Sequence, residues 1–133
     1  MTAAAPDNEI VERRSKASFA ETIERLTSAI ETAGMIVFAT IDHAAGARDA
    51  GLSIPPTTVL VYGHAKGGTP IMLASPHGAL DLPLRVLVRE DPEGHVLVGF
   101  RMIAPTLQRA GVPEPLVRRL EPAQRMLLVA ISD

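Results

Sequence analysis

Two short polar segments hold the densest groups of potentially reactive side chains in this sequence. The first is the pair Asp42 and His43, which directly follows an apolar stretch, and the second is the glycine-rich segment GHAKGGT at 63–69. A carboxylate beside an imidazole can work as an acid–base pair or as two metal ligands. A lysine and a threonine hydroxyl among glycines can hold an anion. The residues predicted to bind a ligand are Asp42, His43, His64, Lys66 and Thr69.

Each segment also has a purely structural interpretation. Asp42 can cap a helix that begins near Ala44 and ends at Gly51, which leaves His43 in the first turn. The glycines at 63–69 can simply form the turn of a β-hairpin. A phosphate-binding P-loop is not expected, because its Gly-x-x-x-x-Gly-Lys-Ser/Thr pattern is missing and we predict that a strand, not a helix, follows.

Metal and nucleophile chemistry find little support in the sequence. The chain has no cysteine, and none of its four histidines has the short spacing of known metal sites. His43, His64 and His77 could converge with Asp42 or Asp81 if their loops share one end of a sheet. We nevertheless predict no metal and no cofactor. Serines lack the context of a nucleophile.

Composition excludes several classes of partner. The chain has 133 residues, 47% hydrophobic and 3% aromatic, with a formal net charge of −2. This balance provides neither the basic surface nor the stacking rings typical of nucleic-acid binding. No apolar run approaches the roughly 20 residues that span a bilayer. Arginines near the C-terminus are interpreted as a solvated helix face. A cytoplasmic protein that binds neither nucleic acid nor membrane is expected.

The N-terminal third predicts a tail, an edge strand and one helix. Residues 1–8 are expected to form a flexible tail, and residues 9–133 a single domain. Glu9 to Ser15 is charged enough to suit a sheet edge. Ser18 and Glu21 form a capping box ahead of an apolar stripe with helical spacing, and Gly34 ends that helix.

Apolar segments then predict the sheet. The segments with strand character are Met35–Ile41, Thr58–Tyr62, Ile71–Ala74, Leu84–Glu90 and His95–Phe100. A short glycine-rich connection between the second and third predicts an antiparallel hairpin. The sequence DPEG between the last two predicts another, with a turn that ends in glycine. In the fourth segment, alternation places Leu84, Val86 and Val88 inward and Arg85 and Arg89 outward.

The C-terminal third reads as helical. A short helix around Thr106–Ala110 is expected to end at Gly111, and a longer one to begin at Pro113 or Pro115. Pro122 is expected to break or kink it and open a second segment. The order is β-α-β₄-α, an α+β domain with an antiparallel β-sheet and helices packed on one face. Since central strands apolar on both faces need cover on both sides, a homodimer is expected.

The segments FATIDH, PTTVLVYGHAKGGT and LPLRVLVRE resemble the domain-of-unknown-function family 302. The resemblance covers roughly residues 18–100 and implies a β-α-β₄-α fold similar to that of the TATA-binding protein. Family members usually carry Asn-Pro at the positions of His64 and Ala65, and often a tryptophan at that of Arg89. If the Asn-Pro pair shapes a binding loop, this chain has an altered site.

Three functions remain open from the sequence. The leading one is a small binding or regulatory module that recognises a small molecule or a protein partner, as a dimer. The second is an enzyme in which His43 is the general base, Asp42 orients it and Lys66 stabilises a developing anion. The third is a docking domain without a ligand, in which the conspicuous residues are only turns and caps.

Overall fold

The first strand forms one edge of the sheet, as its charges predict. The computed structural model describes residues 9–132. Strand β1 (Ile10–Ser15) pairs antiparallel with the last strand of the chain at the edge of a five-stranded sheet. The predicted tail, residues 1–8, lies outside the described residues.

Helix α1 (Phe19–Thr32) begins and ends where the sequence predicts. The hydroxyl of Ser18 accepts the backbone N–H of Glu21 at 3.1 Å, and Gly34 adopts a left-handed φ of 83° just after the helix. Leu26 and Ile30 are fully buried on the face that meets the sheet. The Ser18 cap and the apolar stripe are therefore confirmed, whereas the Glu21 carboxylate accepts a hydrogen bond from Arg25 instead of completing the capping box.

The other four strands complete a wholly antiparallel sheet. They are β2 (Ile36–Asp42), β3 (Thr57–Gly63), β4 (Leu84–Glu90) and β5 (Val96–Arg101). The strand order is β1-β5-β4-β3-β2, so β1 and β2 are the two edges. The strands follow the predicted order of one strand, one helix and four further strands, with additional helices between β2 and β3 and between β3 and β4. The α+β class is confirmed.

The segment Ile71–Ala74 is not a strand, and its predicted hairpin with β3 is wrong. It is the end of helix α3 (Ala65–Ala74), which begins directly after β3. Two glycines and Pro70 make this sequence a poor helix by local propensity. Burial of Ile71 in the core outweighs that preference, since its side chain is 1% exposed. A 3₁₀ turn (Pro76–Asp81) and a cis Leu82–Pro83 peptide connect α3 to β4.

The turn between β4 and β5 is built around Asp91. The Oδ1 atom of Asp91 accepts the backbone N–H groups of Glu93 and His95, and its Oδ2 atom lies 3.0 Å from the His95 ring. Gly94 takes a φ of 84°. The predicted hairpin is confirmed.

Two helices follow the sheet. Helix α4 (Ile103–Arg109) ends before Gly111, and helix α5 (Glu114–Ile131) begins after Pro113, both as predicted. Pro122 does not open a second helix: α5 continues through it, which corrects the expectation. Packing explains this, because Leu127 and Ile131, beyond the proline, are buried in the core of the same chain.

The helices cover one face of the sheet. Along β3 and β4, buried residues alternate with half-buried or exposed ones, and the buried set points toward α1 and α5. The buried strand residues on this side include Leu60, Tyr62, Leu84, Val86, Val88, Val96 and Val98. The predicted inward and outward sides of β4 are therefore confirmed.

The opposite face of the sheet has less cover. Val59, Val61, Leu87 and Leu97 are only half-buried there. Strand β2 is exposed along almost its whole length. None of the helices within residues 9–132 is both long and apolar enough to cross a membrane.

Candidate functional site

Asp42 and His43 lie where β2 ends and a short helix begins. Asp42 is the N-cap of helix α2 (His43–Asp49), and its Oδ1 atom accepts the backbone N–H of Ala45 at 2.9 Å. Gly51 follows with a φ of 79°. The capping interpretation of Asp42 is confirmed. His43 is the first residue of α2, and its side chain is exposed.

His64 is the N-cap of α3. Its Nδ1 atom accepts the backbone N–H of Lys66 at 3.0 Å, while its carbonyl oxygen accepts the N–H groups of Gly67 and Gly68. Nδ1 must therefore be unprotonated, and the ring proton of neutral His64 sits on Nε2. The imidazole of His64 thus acts as the N-cap acceptor, a role that Asn, Asp or Ser usually takes.

The glycines at 67 and 68 are helical, so hairpin geometry does not explain them. Neither has a positive φ, unlike the chain's turn glycines such as Gly34 and Gly94. The expectation that a strand follows this segment is wrong, because helix α3 follows β3. The type of the following element therefore does not argue against a P-loop. The residue pattern still excludes one, because Lys66 precedes the two glycines instead of following them.

A cavity of about 550 Å³ opens beside the start of α3. We call it the α3 pocket. It lies between the end of α1, the start of β2, α3, the segment before β4 and the middle of α5. Its lining side chains are mostly apolar, and they include Met35, Phe38, Met72, Leu82, Pro83, Leu120 and Ala123. This volume and composition are typical of small-molecule sites.

A β-bulge places Phe38 at the α3 pocket. The register between β2 and β3 shifts between Val37 and Ala39, so Phe38 is the extra residue. Bulges re-aim a side chain that the regular pleat would direct elsewhere. The Phe38 ring reaches the end of β3, where a Cβ added to Gly63 would lie 3.8 Å from the Cε2 atom of Phe38.

The charged side chains that line the α3 pocket are both cationic. His64, Lys66, Thr69 and Arg119 line it, and no acidic residue is among the lining residues within 9–132. Neither Lys66 nor Arg119 forms a side-chain ion pair in the described part of the chain. The N-terminal end of α3 adds a partial positive charge. The pocket therefore favours an anionic group.

The five residues predicted to bind a ligand fall into two separate groups. His64, Lys66 and Thr69 share the α3 pocket, whereas Asp42 and His43 do not line it. Asp42 pairs with Thr58 at the start of β3, and Ile36 pairs with Gly63 at its end. The two groups are therefore about 17 Å apart along the strand. An enzyme that needs His43 and Lys66 at one substrate does not fit this geometry.

A separate cluster has the composition of a metal site. Ligand atoms of Asp91, Glu93 and His95 lie within 4.8 Å of one another in the β4–β5 turn. Both oxygens of Asp91 are already engaged by that turn. His43, His64 and His77 belong to no such group within residues 9–132, so the convergence considered from the sequence does not occur there.

Sequence reasoning missed the apolar half of the pocket and Arg119. Phe38 was assigned to a regular strand, because nothing in the local sequence signals a bulge. Arg119 was counted among the solvated arginines of the last helix. Leu82 lies in the connection before β4, and Leu120 lies on α5. The tertiary fold brings these two elements to the pocket, so local sequence does not predict their contact. The available signal was the pair of glycines, once α3 is recognised as a helix.

The two departures from the family pattern both have a structural counterpart. His64 caps α3 and Ala65 opens it, which are the positions where Asn and Pro are favoured in any helix. The start of α3 is therefore retained with different residues. Arg89 donates two hydrogen bonds to Glu12 across β5, at 3.1 and 3.2 Å, on the less covered face of the sheet.

Curated relatives match the larger part of this chain. A segment of 90 residues is 43% identical to a protein named fluoride-specific ion channel FluC 1 from Brucella suis biovar 1 (strain 1330). The identity is the same for the protein of that name from Brucella abortus biovar 1 (strain 9-941). The match covers 68% of this chain and about a third of each relative.

The fold has a counterpart among solved structures. The crystal structure of an uncharacterized conserved protein DUF302 from Bacillus stearothermophilus superposes with a TM-score of 0.81 at 15% identity. The alignment covers 94% of this chain and 97% of that one. The sequence profile of the same family matches residues 11–132. This chain therefore belongs to the family described as domain of unknown function DUF302.

Proposed function

We propose that this protein is a small-molecule-binding module whose ligand joins an apolar body to an anionic group. The α3 pocket carries this proposal, because apolar walls and two cations, neither of them ion-paired within residues 9–132, line one cavity. The protein is proposed to act in the cytoplasm and as a homodimer. No covalent step is part of the proposal.

The size of the cavity sets the scale of the ligand. About 550 Å³ lies in the middle of the range for sites that enclose metabolite-sized molecules. Apart from the Phe38 ring, the apolar lining side chains are not aromatic, as Met72 and Leu120 illustrate. An aliphatic ligand therefore suits these walls.

Charge selects among ligands of that size. Lys66 is at the second position of α3 and Arg119 lies on α5, and both line the α3 pocket. Bringing an anion to these two cations is favourable, and a cationic ligand would meet repulsion. The hydroxyl of Thr69 is a further hydrogen-bond donor.

The glycines at 67 and 68 support a site rather than a turn. Helical glycine lowers stability by roughly 1 kcal/mol relative to alanine. A Cβ at Gly67 would lie 3.6 Å from Leu120, and one at Gly68 would lie 3.6 Å from Met72, so space alone does not forbid a side chain. Because these two glycines have no side chain, the cavity is larger and a bound ligand can come closer to the backbone of α3.

Calorimetric titration with three ligands of equal chain length tests this proposal. Decanoate, decan-1-ol and decylammonium share a ten-carbon chain and carry an anionic, a neutral and a cationic head group. We expect decanoate to bind more tightly than decanol, and decylammonium to bind most weakly. If none of the three binds, the pocket is not a site for aliphatic ligands. Equal affinity of decanoate and decanol would contradict the role of the two cations.

The chain offers a matched control for the lysine. Lys66→Met removes the charge at the α3 pocket while keeping an unbranched side chain. Lys16→Met makes the same change at the chain's other lysine, which is exposed and does not line the pocket. We expect only the first substitution to weaken decanoate binding, by about tenfold for a charged contact worth some 1.5 kcal/mol.

The Brucella relatives suggest a second candidate, a module that serves fluoride channels. The segment shared with them is 43% identical, and they are named as fluoride-specific ion channels. Fluoride is an anion, which suits the charge of the α3 pocket, but one ion fills only a small part of about 550 Å³. A ¹⁹F NMR titration with fluoride tests this candidate: saturable broadening that Lys66→Met removes would favour it over an aliphatic ligand.

A further inference from the structure

The two edges of the sheet differ sharply in chemistry. Strand β1, at one edge, carries Glu12, Arg13 and Arg14 in the middle of its sequence. Strand β2, at the other edge, reads IVFATI before it reaches Asp42. Charged residues protect exposed strand edges from pairing with other chains. Only β1 has that protection.

The unprotected strand is also exposed. Ile36, Phe38 and Ile41 have 50%, 52% and 42% of their surface accessible, and Ala39 and Thr40 are exposed between them. The outer edge of β2 has no strand partner within residues 9–132. We call these five residues the β2 edge surface.

We propose that a second copy of this chain covers the β2 edge surface by antiparallel pairing of the two β2 strands. This pairing joins two five-stranded sheets into one continuous sheet. Phe38 belongs both to this surface and to the lining of the α3 pocket, but the strand pairing itself requires no ligand.

The bulge defines which part of β2 takes part. Regular pairing is interrupted at Phe38, so the segment available is Ala39–Asp42. With the two-fold axis at Thr40, Thr40 is opposite its own copy and Ala39 of one copy is opposite Ile41 of the other, so paired residues lie on the same face of the sheet. The two Asp42 carboxylates stay apart, and no like charges face each other.

A second copy suits this surface better than a charged strand of another protein. Two-fold pairing uses the same residues on both chains, so one contact covers both exposed strands. Strand β1 of a neighbouring molecule would bring Glu12, Arg13 and Arg14 against an uncharged, apolar strand. That arrangement would be unfavourable, because it would remove these charges from water and β2 offers no opposite charges to pair with them.

The area indicates a dimer of modest affinity. The four residues that pair span about 13 Å and the sheet is on the order of 10 Å thick, so strand pairing by itself covers on the order of 130 Å² per copy. Stable dimers bury about 800 Å² per partner. Leu52 and Ile54, exposed in the segment that leads into β3, extend the apolar surface next to the Asp42 end of β2. We expect dissociation in the micromolar range.

Sedimentation equilibrium of two matched variants tests the interface. Ile41→Lys puts a charge on β2, and Ile10→Lys puts the same charge on β1, where Ile10 is 47% exposed. We expect the wild type and Ile10→Lys to dimerise from low-micromolar to millimolar concentration. Ile41→Lys should raise the dissociation constant at least tenfold. A wild type that stays monomeric at millimolar concentration, or equal effects of both substitutions, would overturn the proposal.

Hydrogen exchange of the wild type supplies a second test that needs no variant. Pairing of two β2 strands protects the outward amides of Ala39–Asp42, and this protection should rise with protein concentration. A dimer that forms without protecting these amides packs through another surface and also overturns the proposal. Thermal unfolding of each variant establishes that it is folded before its mass is compared.

Discussion

The hydroxyl of Tyr62 donates a hydrogen bond to the backbone carbonyl of Ala123 at 2.9 Å, and so ties the end of β3 to the middle of α5. Tyr62 is fully buried and directly precedes Gly63 and His64. Ala123 lines the α3 pocket. This bond therefore fixes the distance between two walls of the candidate site.

Removing this hydroxyl should loosen that connection. Tyr62→Phe keeps the ring and loses one buried hydrogen bond, so we expect the free energy of unfolding to fall by about 1 kcal/mol. Urea unfolding at neutral pH measures the loss. An unchanged free energy of unfolding would mean that the hydroxyl contributes nothing to stability.

The same tyrosine should make the fold sensitive to alkali. Burial raises the pKa of Tyr62 far above its ordinary value near 10. Between the unfolded and the folded pKa the unfolded chain loses the tyrosine proton while the folded chain keeps it, so stability falls as pH rises. Tyr62 is the chain's one tyrosine. Tyrosinate absorbance should therefore appear only with unfolding, and a separate titration near pH 10 in the folded protein would contradict this.

Alanine at Gly67 should separate stability from binding. Because Gly67 is helical, Gly67→Ala should raise the free energy of unfolding by up to about 1 kcal/mol. The added methyl group enters the α3 pocket, so decanoate should bind more weakly. Gly46→Ala in α2 is the control, since a Cβ there meets nothing within 4 Å. It should stabilise the fold and leave decanoate binding unchanged; equal binding losses in both variants would contradict the pocket assignment.

The imidazole cap of α3 should be replaceable by the residue that relatives use. His64→Asn supplies another side-chain acceptor, so α3 should remain as stable as in the wild type. His64→Ala removes the acceptor from the Lys66 N–H and should lower stability by about 1 kcal/mol. Hydrogen exchange of the α3 amides distinguishes the two. Faster exchange of the α3 amides in the asparagine variant than in the wild type would mean that the His64 ring stabilises α3 by contacts other than the cap.

The β4–β5 turn should weaken in acid. Desolvation works to raise the pKa of Asp91, but the backbone N–H and ring of His95 and the N–H of Glu93 outweigh it and hold that pKa below its ordinary value. The carboxylate thus stabilises the folded state at neutral pH, and this contribution is lost as pH falls below about 4. Asp91→Asn should flatten the acid limb of the stability profile. Asp49→Asn, at an exposed carboxylate of α2, should leave it unchanged.

Local patterns predicted the elements whose own residues determine them. The Ser18 cap, the alternation around Val86 and the Asp91 turn all depend on neighbours within a few positions, and each is confirmed. Helix α3 was missed because its glycines and Pro70 oppose a helix locally, and only the burial of Ile71 reverses that preference. Continuation of α5 through Pro122 has the same cause.

The candidate site was predicted in part. His64, Lys66 and Thr69 are close in sequence and share one helix start, so they necessarily lie together. Grouping them with His43 assumed that turns after successive strands meet at one end of the sheet. In an antiparallel pair the end of β2 is beside the start of β3, which separates Asp42 from Gly63 by the length of the strand. Arg119 could be found only once the path of α5 was known.

The charges of β1 also determine how far assembly can proceed. A sheet with two uncharged edges could add molecules at both ends and grow into a fibre. Here Glu12, Arg13 and Arg14 occupy one edge, so only the β2 edge of each molecule is free of charges that oppose strand pairing. Once two such edges meet, both ends of the joined sheet are charged and growth stops. In the proposed dimer, the charged β1 edges therefore limit the assembly to two chains.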